Sequence, residues 1–179
     1  MRRIILDLAV SLDGYIEGPR GETDWCIMDE DMNFDGFLAT IDTLFYGRVS
    51  YDAWGNFHPD TNAGETELKL WQAVHSKKKY VFSSRYRADE RAIFISSNLA
   101  EKVPEIKNEE GRDIWLYGGA SLIKSFIQSD LIDIYRISVH PIVLGSGKPL
   151  FENPGHRINL ELIEVNRFRS GVVQLIYTK

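Results

Sequence analysis

The sequence predicts an α/β domain in three layers: a mostly parallel central sheet, an antiparallel hairpin at its C-terminal end, and helices on both faces. Three observations predict it. Short runs rich in Ile, Leu, Val and Tyr alternate with stretches of helical periodicity, the pattern of parallel strands joined by crossover helices. Several of those runs are nearly continuous in apolar residues, as strands buried on both faces are. The last two, Leu160–Arg167 and Gly171–Tyr177, are separated only by Phe168-Arg169-Ser170 and read as a closing hairpin.

Each element has its own signal. Ile4–Ser11 is the first strand, turned outward by Ser11-Leu12-Asp13-Gly14. Phe34, Phe37, Leu38 and Ile41 make a helical stripe after the acidic run Asp29-Glu30-Asp31, whose carboxylates suit a helix N-terminus. Thr43–Tyr46 follows as a strand, with a short helical stretch starting near Val49-Ser50. Leu68, Trp71 and His75 form a second stripe, and Lys79–Ser83 and Ala92–Ser96 read as strands. Asn98 with Glu101 signals a helix start ahead of Val103 and Ile106. Ile114–Tyr117 is a strand, Leu122, Ile123, Phe126 and Ile127 share one helix face, and Tyr135–Leu144 is the strand before the hairpin.

The 179 residues read as one domain spanning 1–179, without internal repeats, and 44% apolar with 26% charged residues is ordinary globular composition. A net charge of −5 argues against nucleic acid or an anionic membrane as the main partner, so a bound phosphate must meet local basic groups. Cys26 is the one cysteine, which excludes an internal disulfide and thiolate-rich zinc sites. No run approaches the ~18 apolar residues of a membrane span, and the N-terminal Met-Arg-Arg-Ile-Ile-Leu-Asp is too short for a signal-peptide core. A cytoplasmic location is expected.

The chemistry lies at strand ends. Gly118-Gly119 joins the run Ile114–Tyr117 to an amphipathic helix, presenting unpaired N–H groups at the positive end of a helix dipole, where phosphate can approach bare backbone. Gly47-Arg48 ends a second strand and adds a guanidinium beside the Ser50 hydroxyl. Ser83-Ser84-Arg85 ends a third, with hydroxyls and a guanidinium suited to a terminal phosphate such as the 2′-phosphate of NADPH. Taken singly, each also reads as a turn or helix start; their shared position at carboxyl ends of strands is what points to a ligand crevice. Gly145-Ser146-Gly147-Lys148-Pro149 is not a P-loop, because the glycine spacing fails and Lys148 precedes proline. No G-x-G-x-x-G occurs. His58, His75, His140 and His156 show no metal-ligand spacing, and no metal is expected.

The ordered set S-L-D-G-Y-I, D-W, Y-G-R-V-S-Y, F-S-S-R, L-Y-G-G-A-S-L and V-L-G-S-G-K-P-L-F, from about Ile4 to Tyr177, resembles the dihydrofolate reductase-like superfamily. The nearer resemblance is to the reductase domain of bacterial riboflavin-biosynthesis deaminase-reductases. It implies NADPH as cofactor, a small-molecule substrate and a homodimer. It places Val10, Gly47, Arg48, Ser83, Ser84, Arg85, Gly118, Gly119, Ala120, Ser121 and Leu122 at the cofactor, often with a cis Gly-Gly peptide. Ser11, Gly14, Trp25, Phe34, Gly145 and Gly147 are then expected near the substrate, and Asp31 or Asp13 as the carboxylate that orients it or relays a proton; Asp29 and Glu30 are equally placed. The Leu-Pro-Trp stretch of dihydrofolate reductases is absent, and so are the H-x-E and P-C-x-x-C signatures of a deaminase.

The expected activity is NADPH-dependent reduction of a pterin-like or ribosylaminopyrimidine heterocycle, like that of a 5-amino-6-(5-phosphoribosylamino)uracil reductase. The alternatives are a true dihydrofolate reductase, an NADPH- or pterin-binding module without turnover, and a structural subunit. Trp54, Phe57 and Phe151 are candidate association surfaces.

Overall fold

A computed structural model describes residues 1–56, 58–59, 65–96 and 98–179. The strands are β1 (Ile4–Ser11), β2 (Tyr15–Glu17), β3 (Ile41–Gly47), β4 (Lys78–Phe82), β5 (Ile93–Ile95), β6 (Asp113–Gly118), β7 (Ile134–His140), β8 (Lys148–Pro149), β9 (Glu161–Arg167) and β10 (Val173–Thr178). The helices are α1 (Phe34–Thr40), α2 (Arg48–Ser50, continued by a wide turn over Tyr51–Gly55), α3 (Glu65–His75), α4 (Leu99–Lys107) and α5 (Ala120–Gln128).

Eight strands form one sheet in the order β5-β4-β3-β6-β1-β7-β10-β9. The pairings from β5 to β7 are parallel, and β10 is antiparallel to both β7 and β9. The anticipated three layers and closing hairpin are therefore present. The hairpin loop is closed by the Phe168 N–H donating to the Val172 carbonyl.

The two sheet faces bury separate cores. On one, Leu6, Ile114, Leu116 and Phe45 pack beneath α4 and α5, where Phe126 is fully buried against Phe45 and Phe82. On the other, Ile5, Leu44, Tyr46 and Trp115 pack against Phe37 and Leu38 of α1. Trp115 meets both Phe34 and Phe37 edge-on.

Several boundaries differ from expectation for identifiable reasons. Ile41 opens β3 instead of closing the helix stripe, because its φ of −114° and ψ of 153° are already extended. β7 stops at His140 rather than Leu144, since Pro141 has no N–H for the ladder. The chain then turns, with Ile142 N–H donating to the His140 carbonyl. The two-stranded sheet of β2 and β8 was not legible, being short and carried by one proline and one lysine.

Candidate active site

A cleft of about 1650 Å³ crosses the carboxyl ends of the sheet strands. Roughly 300–1,000 Å³ suffices for a drug-sized ligand, so this one has room for a dinucleotide and a second molecule.

One end of the cleft is built from the three strand-end junctions. Gly47 and Arg48 from β3 and α2, Ser83 and Ser84 after β4, and Gly119 with Ala120, Ser121 and Leu122 at the start of α5 all line it. The β3 and β6 ends are pressed together: a Cβ on Gly47 would sit 3.4 Å from the Gly119 nitrogen, and one on Gly119 would sit 2.8 Å from Ser50 Oγ. The Gly118–Gly119 peptide is cis, and Gly118 has φ +122°, a region natural to glycine. Gly119 caps α5 without a side-chain acceptor, so the leading N–H groups of that helix stay open toward the cleft. Arg48 is half-exposed, with Nη1 3.0 Å from Asp52 Oδ2. Arg85 and Gly118 are not among the lining residues; the Arg85 N–H donates to Ser83 Oγ at 3.1 Å and shapes the loop.

The other end lies on the α1 side of the sheet and is polar along its floor. Asp7 on β1 faces Arg136, its register partner on β7, with Arg136 Nε 3.3 Å from Asp7 Oδ1. Ser138 and His140 continue the same face of β7, and Gln174 on β10 donates to Ser138 Oγ at 3.1 Å. Phe34, Tyr46, Trp115 and Tyr117 wall this end. Burial pushes the Asp7 carboxyl up to about 7, against the opposing effect of Arg136. Burial also lowers the His140 imidazole, partly offset by Asp29. His75, which stacks on Trp71 at the cleft wall, is lowered to about 4 by burial and by the neighbouring Lys79.

The carboxylates singled out from the sequence stand elsewhere. Asp13 is a loop clamp: it accepts from Ser11 Oγ at 2.6 Å and from the N–H groups of Leu144 and Gly145 at 3.1 and 2.8 Å. Those bonds hold its carboxyl below its ordinary range. Asp31 lies beside the closing hairpin, with Arg169 Nε 4.0 Å away, and Asp29 Oδ2 accepts from the Ser170 N–H. The acidic run turns to the hairpin because its residues form a one-turn helix that ends in left-handed Asn33. The Glu30 side chain and Phe57 lie outside the described residues.

Of the expected substrate residues, Phe34 and Gly147 line the cleft. Ser11 and Gly14 form the turn clamped by Asp13, with Gly145 opposite. Trp25 packs edge-on against His140 and donates Nε1 to the Glu22 carbonyl. Val10 points into the core on the opposite face. Asp7 and Arg136 went unnoticed in the sequence, although a lone charge inside an apolar central strand was the available signal.

The sequence signature of the RibD C-terminal domain matches residues 2–174. The chain belongs to that family. A relative of this RibD C-terminal domain in Bacillus subtilis (strain 168), the uncharacterized protein YyaP, is 57% identical over 177 residues, covering 98% of this chain and 94% of YyaP. A putative riboflavin biosynthesis protein from Shewanella sp. PV-4 superimposes with a TM-score of 0.78 at 26% identity, over 99% of this chain and 98% of that one. At 12% identity, a Thermotoga maritima diaminohydroxyphosphoribosylaminopyrimidine deaminase/5-amino-6-(5-phosphoribosylamino)uracil reductase shares the fold (TM-score 0.71, over 99% of this chain and 56% of that one). Dihydrofolate reductase from Enterococcus faecalis, complexed with NADP(H), shares it at 16% identity (TM-score 0.65, over 98% and 95%). The fold is thus dihydrofolate reductase-like.

Proposed function

We propose that this domain is an NADPH-dependent reductase of a small ribosylaminopyrimidine- or pterin-like heterocycle, with activity like that of a 5-amino-6-(5-phosphoribosylamino)uracil reductase. The observation that carries the reading is one cleft joining three phosphate-suited strand ends to an aromatic pocket with a charged floor. Membership of the RibD C-terminal domain family supports it.

The residues present fit a dinucleotide. Bare backbone at Gly47 and Gly119, where a Cβ would crowd the cleft wall, leaves space for an anionic group to approach N–H groups directly. The open start of α5 at Ala120 and Ser121 would hold the pyrophosphate, and Arg48 with Ser83 and Ser84 the adenosine-end phosphate. Bound there, the nicotinamide would supply hydride to an electrophilic C=N or C=O carbon. The protein's part is to orient the acceptor ring between Phe34, Trp115 and Tyr117, and to exclude water. Among the acids considered, Asp7 has the position and the near-neutral pKa for proton handling; Asp13 is committed to its loop and Asp31 to the hairpin side.

Thermal unfolding with and without NADPH tests the reading. Ligand at 100 times its Kd should stabilise the domain by about 2.7 kcal/mol, and loss of NADPH absorbance should follow addition of a ribosylaminouracil substrate. Absence of any NADPH-dependent shift sinks the proposal.

A further inference from the structure

We infer that the Asp7–Arg136 pair is a specificity subsite that reads a lactam or ureide edge, an N–H beside a C=O, on the ring occupying the cleft. The inference rests on the reductase reading for its location and goes beyond it in naming what the floor recognises.

Asp7 and Arg136 are cross-strand partners at the middle of the sheet, and both face the cleft. Their side chains are only 10% and 17% exposed. Each is short of partners for so buried a position. Arg136 Nε approaches Asp7 Oδ1 at 3.3 Å without hydrogen-bond geometry and is buried with no hydrogen bond among the described residues. The guanidinium lies over the Phe37 ring, 4.7 Å from its centroid, so its plane is held in place. No described residue donates a hydrogen bond to the Asp7 carboxylate, which has about four acceptor sites when ionised.

Burying a charged pair is costly unless its remaining lone pairs and protons are satisfied. Asp7 and Arg136 both line a cavity walled by aromatic rings, so a flat ligand is the partner that completes them. The order of groups fixes the edge. With its carboxyl ionised, Asp7 is an acceptor beside the Arg136 donor, which complements N–H next to C=O. A protonated amidine, whose two adjacent N–H groups both donate, sets one of them against the guanidinium.

Binding of three probes to the full chain, measured calorimetrically above pH 7 so that Asp7 is ionised, tests this: 5,6-diaminouracil, its 1,3-dimethyl derivative, whose ring N–H groups are blocked, and benzamidine, a flat cation whose amidinium presents two donors and no acceptor. The first should bind at least about tenfold tighter than either of the others, the equivalent of one good hydrogen bond. Paired replacement Asp7→Leu with Arg136→Leu removes both charges together and should abolish the preference while leaving the NADPH thermal shift intact. Equal affinities, tighter binding of benzamidine, or no binding of 5,6-diaminouracil overturns the subsite. Should the paired variant fail to fold, the wild-type ranking decides alone. Loss of the NADPH shift in the wild type counts against the reductase reading instead, so the two failures are distinguishable.

Discussion

At the scale of single residues, Asp7 sets the electrostatics of the cleft. Its carboxyl is raised from 3.8 to about 7 by burial. The folded state therefore binds this proton more tightly than the unfolded chain does. The associated stability is complete below the unfolded pKa and is lost as pH rises through about 7. With roughly 1.4 kcal/mol per pKa unit, the loss is on the order of a few kcal/mol. Chemical denaturation of wild type and Asp7→Asn across this range should show their stability difference moving in the variant's favour up to about pH 7 and levelling beyond it; a constant difference contradicts the buried-carboxyl account. Arg48 makes a separate prediction. It lines the cleft with Ser83 and Ser84, whereas Arg85 does not. Arg48→Ala should weaken NADPH by about 1.5–3 kcal/mol, the worth of a charged hydrogen bond, and NADH by clearly less in fluorescence titrations. Equal losses remove Arg48 from the 2′-phosphate.

At the scale of elements, β6 and α5 act as one unit. Leu122, Ile123, Phe126 and Ile127 bury the helix against the sheet, which fixes where its N-terminus meets the cleft. Phe126 is fully buried among Phe45 and Phe82. Phe126→Ala should cost about 3–5 kcal/mol by removing apolar contact and leaving a cavity, read as a drop in urea midpoint at unchanged slope. A cost under about 1 kcal/mol would mean that the site readily collapses. These stripes were legible because helical periodicity is local. The end of β7 was less so: apolar residues continue through Ile142, Val143 and Leu144, and the missing proline N–H at Pro141 decided the boundary.

At the scale of the whole molecule, the sheet ends on β9 with Leu162, Ile163 and Val165 about half-exposed at its edge. Exposed apolar edge strands favour pairing. We propose that this edge, rather than the half-exposed Trp54 or Phe151, joins two copies into a homodimer. Light scattering should give twice the 20.5 kDa chain mass, and Val165→Lys should give the monomer. A wild-type monomer rejects the assembly. No helix among the described residues is long and apolar enough to cross a membrane.

The order of the main-sheet strands and of the helices between them, the antiparallel closing hairpin, and the three strand ends at Gly47, Ser83 and Gly119 were legible in the sequence, because hydrophobic period and glycine placement are local properties. The tertiary structure alone decided which acids face the cleft. Asp13 and Asp31 carry the same functional group as Asp7, but hydrogen bonds direct Asp13 to its loop, and a one-turn helix directs Asp31 to the hairpin side. Asp7 meets Arg136 only through the register of β1 against β7, a contact across 129 positions of chain that no local pattern encodes.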